Sequence, residues 1–202
     1  MVSKNRLEAF SDGVFAIAIT LLVLTIGDPS DYHHLGHELV DRWPALAAYA
    51  VSFVVIGIMW LNHHSIFSYF ARIDRGLFYL NLVLLLTVVF IPYPTGIFGE
   101  ALRRGDGART AAVAYSLTMA VNSYAWAALW LYASTGRRLL DESFPEDQRR
   151  PATLAFTSGP LLYTIAIGVA LISGPACLAF HAALAGYYAL DPISRRTAAA
   201  RE

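Results

Sequence analysis

The sequence predicts an all-α integral membrane protein, and its composition and the layout of its apolar runs carry this prediction. Of its 202 residues, 56% are hydrophobic, and the mean hydropathy is +0.49, which is high for a soluble domain. The apolar residues form long runs separated by short charged clusters, as in chains that cross a bilayer several times. Little sequence remains for a soluble domain, so we expect one transmembrane domain over residues 1–202.

Six stretches are predicted to cross the membrane as helices. The Gly-Asp-Pro-Ser sequence at 27–30 ends the first, and Pro44 fits the first turn of the second. The Pro-Tyr-Pro-Thr-Gly sequence at 92–96 predicts a kink followed by an interfacial turn. Only the Ser-Gly pair at 173–174 joins the last two, which predicts a tight antiparallel hairpin. The expected spans cover residues 7–26, 43–69, 77–98, 108–133, 152–172 and 175–190.

The Lys and Arg residues predict the orientation of these spans. An even number of spans places both termini and two of the connecting loops on one side, which carries eleven basic residues against four on the other. We therefore expect a multi-pass protein of the cell membrane with both termini in the cytoplasm. The eleven are Lys4, Arg6, Arg72, Arg75, Arg137, Arg138, Arg149, Arg150, Arg195, Arg196 and Arg201, and the four are Arg42, Arg103, Arg104 and Arg109.

The charge balance and the cysteine count argue against several functional classes. The chain has 15 basic and 15 acidic residues, so no basic excess indicates a nucleic-acid partner. Cys177 is the sole cysteine and cannot form an internal disulfide. Cys177, the serines and His181 show no spacing typical of a nucleophile and its base, so we expect no enzymatic activity.

The first helix carries charge that a simple membrane anchor would lack. Asp12 lies inside its apolar run, about one and a half turns after Arg6. A carboxylate at that depth costs roughly 2.5–3.5 kcal/mol on insertion scales, so such a residue is usually paired and usually functional. We therefore expect this helix to be the functional centre of the protein.

Helical periodicity separates an apolar stripe on this helix from its polar residues. At 100° per residue from Ile17, Leu21 lies at about +40°, Leu24 at about −20° and Thr20 at about −60°. The serine and aspartate at positions 11 and 12 lie at about 120° and 220°, off that stripe. The stripe faces either lipid, with the polar pair directed into the protein, or a pore, with the polar pair holding the helix to its neighbours. Periodicity alone favours lipid, although Thr20 at the edge of the stripe is more typical of a pore.

Arg6 and Phe10-Ser11-Asp12, at the start of the first of six helices, resemble the signature of the transmembrane protein 175 family of potassium channels. Residues 6–24 are similar to the prokaryotic members, and the resemblance covers nearly the whole chain, with one repeat rather than the two of animal members. It implies a homotetramer in the bilayer, with four first helices around a pore for potassium and other monovalent cations and with no cofactor. The implied constriction consists of Ile17, Leu21 and Leu24, with Thr20 as a polar layer and Ala16 where some relatives have a serine.

The physical chemistry of such a pore differs from that of a carbonyl filter. The sequence has no Thr-Val-Gly-Tyr-Gly filter, so a ladder of backbone carbonyls is not available. A ring of Ile17 side chains can gate by dewetting and makes an ion shed part of its hydration shell. Potassium holds its water less tightly than sodium, and Thr20 hydroxyls, or waters bound to them, can replace some of the lost ligands.

The resemblance also implies a polar lock, by which we mean a set of side chains that holds the first helix to its neighbours. Its members on this chain are Arg6, Phe10, Ser11, Asp12, Trp60, His63, His64 and Asn81. Asp12 needs donors, and indole, imidazole, amide and guanidinium groups all provide them. Alternatively, Trp60 belongs to an interfacial belt, and His63 and His64 are ordinary packing residues. Adjacent histidines diverge by about 100°, which disfavours a metal site.

The segment 31–38 after the first helix is rich in side chains that can bind metal. His33 and His37 have the spacing of a zinc pair if the segment is helical, and together with His34 they also offer a pH sensor. We expect a solvated loop here rather than a metal site.

Three other functions compete with a passive channel. A secondary transporter would use Asp12 for proton or ion coupling, but such proteins usually have internal repeats and broken helices, and neither is evident in the sequence. A membrane enzyme or haem protein would use His63, His64 and His181. A structural membrane protein without transport activity would leave Asp12 unexplained.

Overall fold

The computed structural model describes residues 3–29 and 32–189, which fold into eight α-helices and two short 3-10 turns. These residues contain no β-strand, so the predicted all-α class is confirmed. The predictions made for Asp31, Leu190, Arg195, Arg196 and Arg201 fall outside the described residues. The elements are α1 (Lys4–Leu21) with its 3-10 continuation (Leu22–Ile26), α2 (Leu35–Asp41), α3 (Trp43–Ser68), α4 (Arg75–Phe90), α5 (Pro92–Arg104), α6 (Ala108–Ser134) with a 3-10 turn (Thr135–Arg137), α7 (Glu146–Ile172) and α8 (Gly174–Ala189).

Four helical stretches of the described chain are long and apolar enough to cross a membrane. Two are single helices, α3 and α7, and the other two are continuous pairs of elements, Lys4–Ile26 and Arg75–Arg104. The remaining predicted spans fall on α6, which is 27 residues long and rich in alanine, serine and tyrosine, and on α8, which has 16 residues. Each of the six predicted spans thus overlaps one or two of these helices, and four of them are long and apolar enough to cross a membrane.

The predicted interfacial turn after the third span is wrong, because the chain remains helical there. A break at Ile91 separates α4 from α5, and α5 then runs on to Arg104. Pro92 lies in the first turn of α5, where a missing backbone N–H leaves no hydrogen bond unmade. Gly99 allows α5 to approach α3 closely, since a Cβ atom at this position would lie 2.8 Å from the Cα of Ala45. The prolines therefore kink the span without ending it.

The expected solvated loop is also partly wrong, because its second half is α2. His37 and Asp41 share one face of this short helix, and His37 Nδ1 lies 3.0 Å from Asp41 Oδ2. Both side chains are well exposed, so this pair contributes little to stability. The helix is followed by Arg42 and then directly by α3.

The helices pack so that α1 rests on the bundle by one face. It contacts α3 and α4, while α6 pairs with α7 and α5 lies against α3. Near the start of α4, Asp74 accepts hydrogen bonds from the backbone N–H of Leu77 (2.8 Å), the hydroxyl of Tyr132 (2.9 Å) and the guanidinium of Arg138 (3.1 Å). Partial burial by itself raises the pKa of Asp74, but these hydrogen bonds outweigh it and lower the pKa below its ordinary value.

Candidate functional site

The first helix has one packed face and one open face. The packed face repeats every three or four residues, as a helix requires, and consists of Leu7, Ser11, Phe15, Ala18 and Leu22. On the opposite side, Ile17 is 59% exposed, Leu21 40% and Leu24 72%. The predicted constriction residues therefore share the open face of α1 and its 3-10 continuation, and the serine of the polar lock lies on the packed face.

Thr20 lies on the open face with its hydroxyl group held in a defined orientation. Its Oγ1 donates a hydrogen bond to the carbonyl oxygen of Ile17, 2.9 Å away in the same helix. Because that bond uses the only hydroxyl proton, the lone pairs of the oxygen are left to accept from water or to contact a cation. Thr20 thus presents an electron-rich oxygen between the apolar side chains of the stripe.

A buried chain of hydrogen bonds joins α1, α4 and α3. Ser11 donates to the carbonyl oxygen of Leu7 (2.8 Å), and Asn81 Nδ2 donates to Ser11 Oγ (3.0 Å). The carbonyl oxygen of Asn81 lies 2.8 Å from His63 Nε2. Ser11 has no second proton, so the amide of Asn81 must face it with its NH2 group, and His63 must carry a proton on Nε2 and donate. The direction of every bond in this chain is therefore fixed.

Aromatic rings fix the position of His63 in this chain. Its imidazole stacks on Phe67 at a centroid distance of 4.2 Å and meets the edge of Phe15 at 5.4 Å. Trp126 of α6 approaches from a third side at 6.3 Å. His63 is 1% exposed and Asn81 is fully buried, so this is an interior site that water does not reach.

A second, outer part of the polar lock lies on the surface of the chain. Trp60 Nε1 donates to Asp12 Oδ1 at 2.9 Å, which ties α3 to α1. Both residues are exposed, Trp60 by 47%. Asp12 is therefore partnered as expected, but it lies at the surface of the single chain rather than in its interior.

Three predicted members of the polar lock are not brought into it. Arg6, Phe10 and His64 are exposed, and within residues 3–29 and 32–189 none of them forms a hydrogen bond or ion pair with the rest of the set. Phe10 is 53% exposed and, by helical geometry, lies at about 20°, on the same stripe as Ile17. The described lock thus consists of an inner chain of three side chains and an outer pair.

Arg42 has a structural role that the sequence does not reveal, since the sequence identifies it only as a basic loop residue. Arg42 is 6% exposed, and its guanidinium donates to the carbonyl oxygens of Ile26 (3.0 Å) and Asp28. Its Nη2 also lies 3.4 Å from Glu38 Oε2. Arg42 therefore holds the end of the 3-10 continuation of α1. Two of its partners are backbone carbonyls, which no pattern of side chains reveals.

A buried Ser–Cys–His cluster also appears only in three dimensions. Ser116 Oγ of α6 lies 3.0 Å from His181 Nε2 and 3.1 Å from Cys177 Sγ, both of α8. All three residues are at most 1% exposed, so the cluster lies in the interior of the chain. The cluster joins α8 to α6.

The described residues contain no group of three or more side chains able to hold a metal ion. His37 pairs with Asp41, and His63 is occupied by Asn81.

The fold and the site together define a helical membrane protein organised around an N-terminal helix with one packed and one open face. The family described as Endosomal/lysosomal potassium channel TMEM175 matches residues 6–92, which include α1, α3, α4 and the whole polar lock. The chain is 45% identical over 204 residues to a protein of Streptomyces collinus named potassium channel, covering 99% of both chains. It is 40% identical over 190 residues to a potassium channel of Chamaesiphon minutus, covering 92% of this chain and 93% of that one.

A solved structure agrees with these sequence matches. The crystal structure of a lysosomal potassium-selective channel TMEM175 homologue from Chamaesiphon minutus superimposes with a TM-score of 0.84 at 39% identity. The match covers 93% of this chain and 96% of that chain. The chain belongs to the TMEM175 family.

Proposed function

We propose that this protein is a potassium-permeable channel in which the open face of α1 lines the pore. The exposed stripe of Ile17, Leu21 and Leu24, with the hydroxyl oxygen of Thr20 between them, is the observation that carries the proposal. The names of its relatives point to the same permeant ion. The assembly that gives such a stripe a function is a homotetramer, in which four copies of α1 enclose one conduit in the bilayer.

The outer pair of Asp12 and Trp60 favours an assembly of subunits around a pore, rather than an arrangement in which α1 faces lipid. Both side chains are exposed where α3 meets α1, away from the open stripe. A carboxylate facing acyl chains costs roughly 2.5–3.5 kcal/mol, whereas a neighbouring subunit or pore water removes most of that penalty. Arg6 and His64 have exposed side chains, so they are available to the next subunit in the same arrangement.

The selectivity follows from hydration rather than from a carbonyl ladder. Four isoleucine side chains at position 17 form an apolar ring that an ion crosses only by losing part of its hydration shell. The loss is smaller for potassium than for sodium because potassium holds its water less tightly. The ring of Thr20 oxygens, each with its proton directed back to the helix, offers acceptors just beyond that ring. Ala16 contributes no hydroxyl, so Thr20 is the polar layer.

The rest of the chain forms the scaffold around this helix. We propose six spans in a single domain of residues 1–202, with α6 and α8 crossing the membrane in addition to the four stretches that qualify by hydropathy. The excess of Lys and Arg on the side of the termini supports a cytoplasmic location for both termini. The activity needs no catalytic residue or cofactor, only the inner chain of Ser11, Asn81 and His63 to hold α1 in place.

Ion flux through purified protein in liposomes tests this proposal. We expect potassium gradients to drive faster flux than equal sodium gradients in the wild type. Ile17→Asn widens and wets the constriction, so sodium flux should rise and the potassium-to-sodium ratio should fall towards unity. Leu161→Asn is the matched control, because Leu161 is an apolar residue of α7 that is 67% exposed and lies outside the stripe.

Two outcomes would count against the proposal. An unchanged ion ratio in Ile17→Asn would exclude Ile17 as the narrow point. Flux that requires a proton gradient, and that stops in Asp12→Asn, would instead assign a coupled transporter in which Asp12 carries the ion.

A further inference from the structure

The far end of the proposed pore helix is held to the rest of the chain on both sides of an exposed leucine. Leu22–Ile26 continues α1 as a 3-10 helix. Its first residue, Leu22, is fully buried in the core. At its last residue, Arg42 Nη1 donates to the carbonyl oxygen of Ile26 at 3.0 Å. The short segment that carries Leu24 is therefore anchored at its beginning and at its end.

Arg42 provides hydrogen bonds that the end of this helix cannot make by itself. The last carbonyl groups of any helix have no partner within it. Besides its bond to Ile26, the guanidinium donates from Nη2 to the carbonyl oxygen of Asp28, so one side chain holds two backbone positions. The planar fork of an arginine suits such a two-point contact, and a positive charge is favourable where backbone carbonyl dipoles converge.

The burial of Arg42 makes these bonds necessary to the fold of this region. Arg42 is 6% exposed, and an arginine keeps its positive charge in proteins. Oε2 of Glu38 in α2 lies 3.4 Å from Arg42 Nη2. A buried charge needs partners that offset its lost hydration, and here they are one carboxylate and two carbonyl oxygens. The guanidinium, and with it the backbone that it holds, is thereby fixed in place.

Leu24 is 72% exposed on the open face and lies two residues before the carbonyl group that Arg42 holds. We propose that Arg42 is a positioning residue for conduction, which keeps the four Leu24 side chains close enough together to narrow the pore. Arg42 is buried and does not contact the ion, so it acts through the backbone that carries Leu24. The inference rests on the proposed function, in which the open face of α1 lines a tetrameric pore.

Single-channel recording of the purified full chain in planar bilayers tests this role. Arg42→Gln removes the charge and the two-point contact, so we expect the apolar ring to widen and the potassium conductance to rise roughly twofold or more. The potassium-to-sodium permeability ratio should stay near the wild-type value, since Ile17 lies about two turns earlier in α1. Arg103→Gln is the matched control and should leave the conductance unchanged, because the guanidinium of Arg103 bonds the carboxylate of Glu100.

The same change in a second background separates positioning from a general disturbance of the fold. Leu24→Ala removes the side chain on which Arg42 is proposed to act, so adding Arg42→Gln should leave the conductance of Leu24→Ala unchanged. An equal fold-change in both backgrounds would overturn the proposal. Glu38→Gln leaves both carbonyl contacts of Arg42 in place and should change the conductance less than Arg42→Gln. An equal effect would assign the role to the ion pair and overturn anchoring through the backbone.

Arg42→Lys replaces Arg42→Gln in these measurements if the glutamine variant does not assemble. Lysine keeps the positive charge but lacks the planar fork, so the conductance should again rise, and the rise should disappear in the Leu24→Ala background. Wild-type conductance in the Arg42 variants would overturn the positioning role and leave the channel function intact. An absence of potassium current from the wild-type protein would instead contradict the proposed function, and the positioning role with it.

Discussion

Asn81→Leu removes the central amide of the buried chain that joins α1, α4 and α3. In the wild type this amide makes two buried hydrogen bonds, to Ser11 Oγ at 3.0 Å and to His63 Nε2 at 2.8 Å. The substitution leaves the Nε2 proton of His63 without an acceptor in a site that is 1% exposed. Ser11 still donates its hydroxyl proton to the carbonyl oxygen of Leu7, so the serine loses only the hydrogen bond that it accepted from Asn81.

The expected loss of stability follows from these two unequal consequences. A stranded buried donor costs roughly 1–3 kcal/mol, and a lost bond to a serine that stays satisfied as a donor costs about 1 kcal/mol. We therefore expect Asn81→Leu to lower the free energy of unfolding by about 2–4 kcal/mol. Equilibrium unfolding in mixed detergent and SDS micelles, followed by circular dichroism, measures this difference.

Two further variants make the result interpretable. Thr118→Val removes a hydroxyl that bonds only the carbonyl oxygen of Ala114 in its own helix, at 3.0 Å, so we expect a change within about 0.5 kcal/mol. Ser11→Ala combined with Asn81→Leu should cost less than the sum of the single changes, because both remove the same bond. A loss below about 0.5 kcal/mol for Asn81→Leu, or strict additivity in the double variant, would refute the reasoning.

Three other changes test separate parts of the structure. Asp12→Ala removes the acceptor of the Trp60 indole N–H. We expect the fraction of the proposed tetramer in size-exclusion chromatography to fall, and the potassium-to-sodium flux ratio to change less. A fully assembled variant would contradict the subunit contact. Gly99→Val places a Cβ atom 2.8 Å from the backbone of Ala45, so we expect a loss of about 1–3 kcal/mol in the same unfolding assay, and an unchanged midpoint would mean that α5 is free to move away from α3. The pKa of Asp74 is lowered from its ordinary value of 3.8, so its carboxylate stabilises the fold above that pH, and this contribution is lost as the pH falls through the folded-state pKa. The stabilities of wild type and Asp74→Asn should therefore converge on acidification, whereas a constant difference would contradict the assignment.

Some parts of the fold are readable from the sequence because one local signal decides them. The apolar run after Asp12 and the Gly-Asp-Pro sequence at 27–29 determine where the first helix lies and ends. The angular separation of Ser11 from Ile17 correctly predicts that one is buried when the other is exposed.

Other parts depend on which neighbours come together, and the sequence alone does not decide them. Pro92 is compatible both with the end of a helix and with the first turn of a new one, and the close packing that Gly99 permits favours the second. Ser116 and His181 are 65 positions apart in the chain, so no spacing rule brings them together. The split of the polar lock into an inner chain and an outer pair likewise depends on how α3 and α4 meet α1.

The 3-10 winding of Leu22–Ile26 changes how two of the exposed stripe residues are aligned. In a continuous α-helix, residues three apart point about 60° away from each other, whereas in a 3-10 helix they are nearly eclipsed. Leu21 and Leu24 therefore project in almost the same direction, and along the axis they are about 6 Å apart rather than about 4.5 Å. In the proposed homotetramer, Leu21 and Leu24 would form two stacked apolar rings, and together these would make a longer hydrophobic constriction than either ring alone. Rewinding these few residues as α-helix would rotate Leu24 relative to Leu21 without moving the rest of α1. Arg42 stabilises the end of the 3-10 segment through its hydrogen bond to the carbonyl oxygen of Ile26.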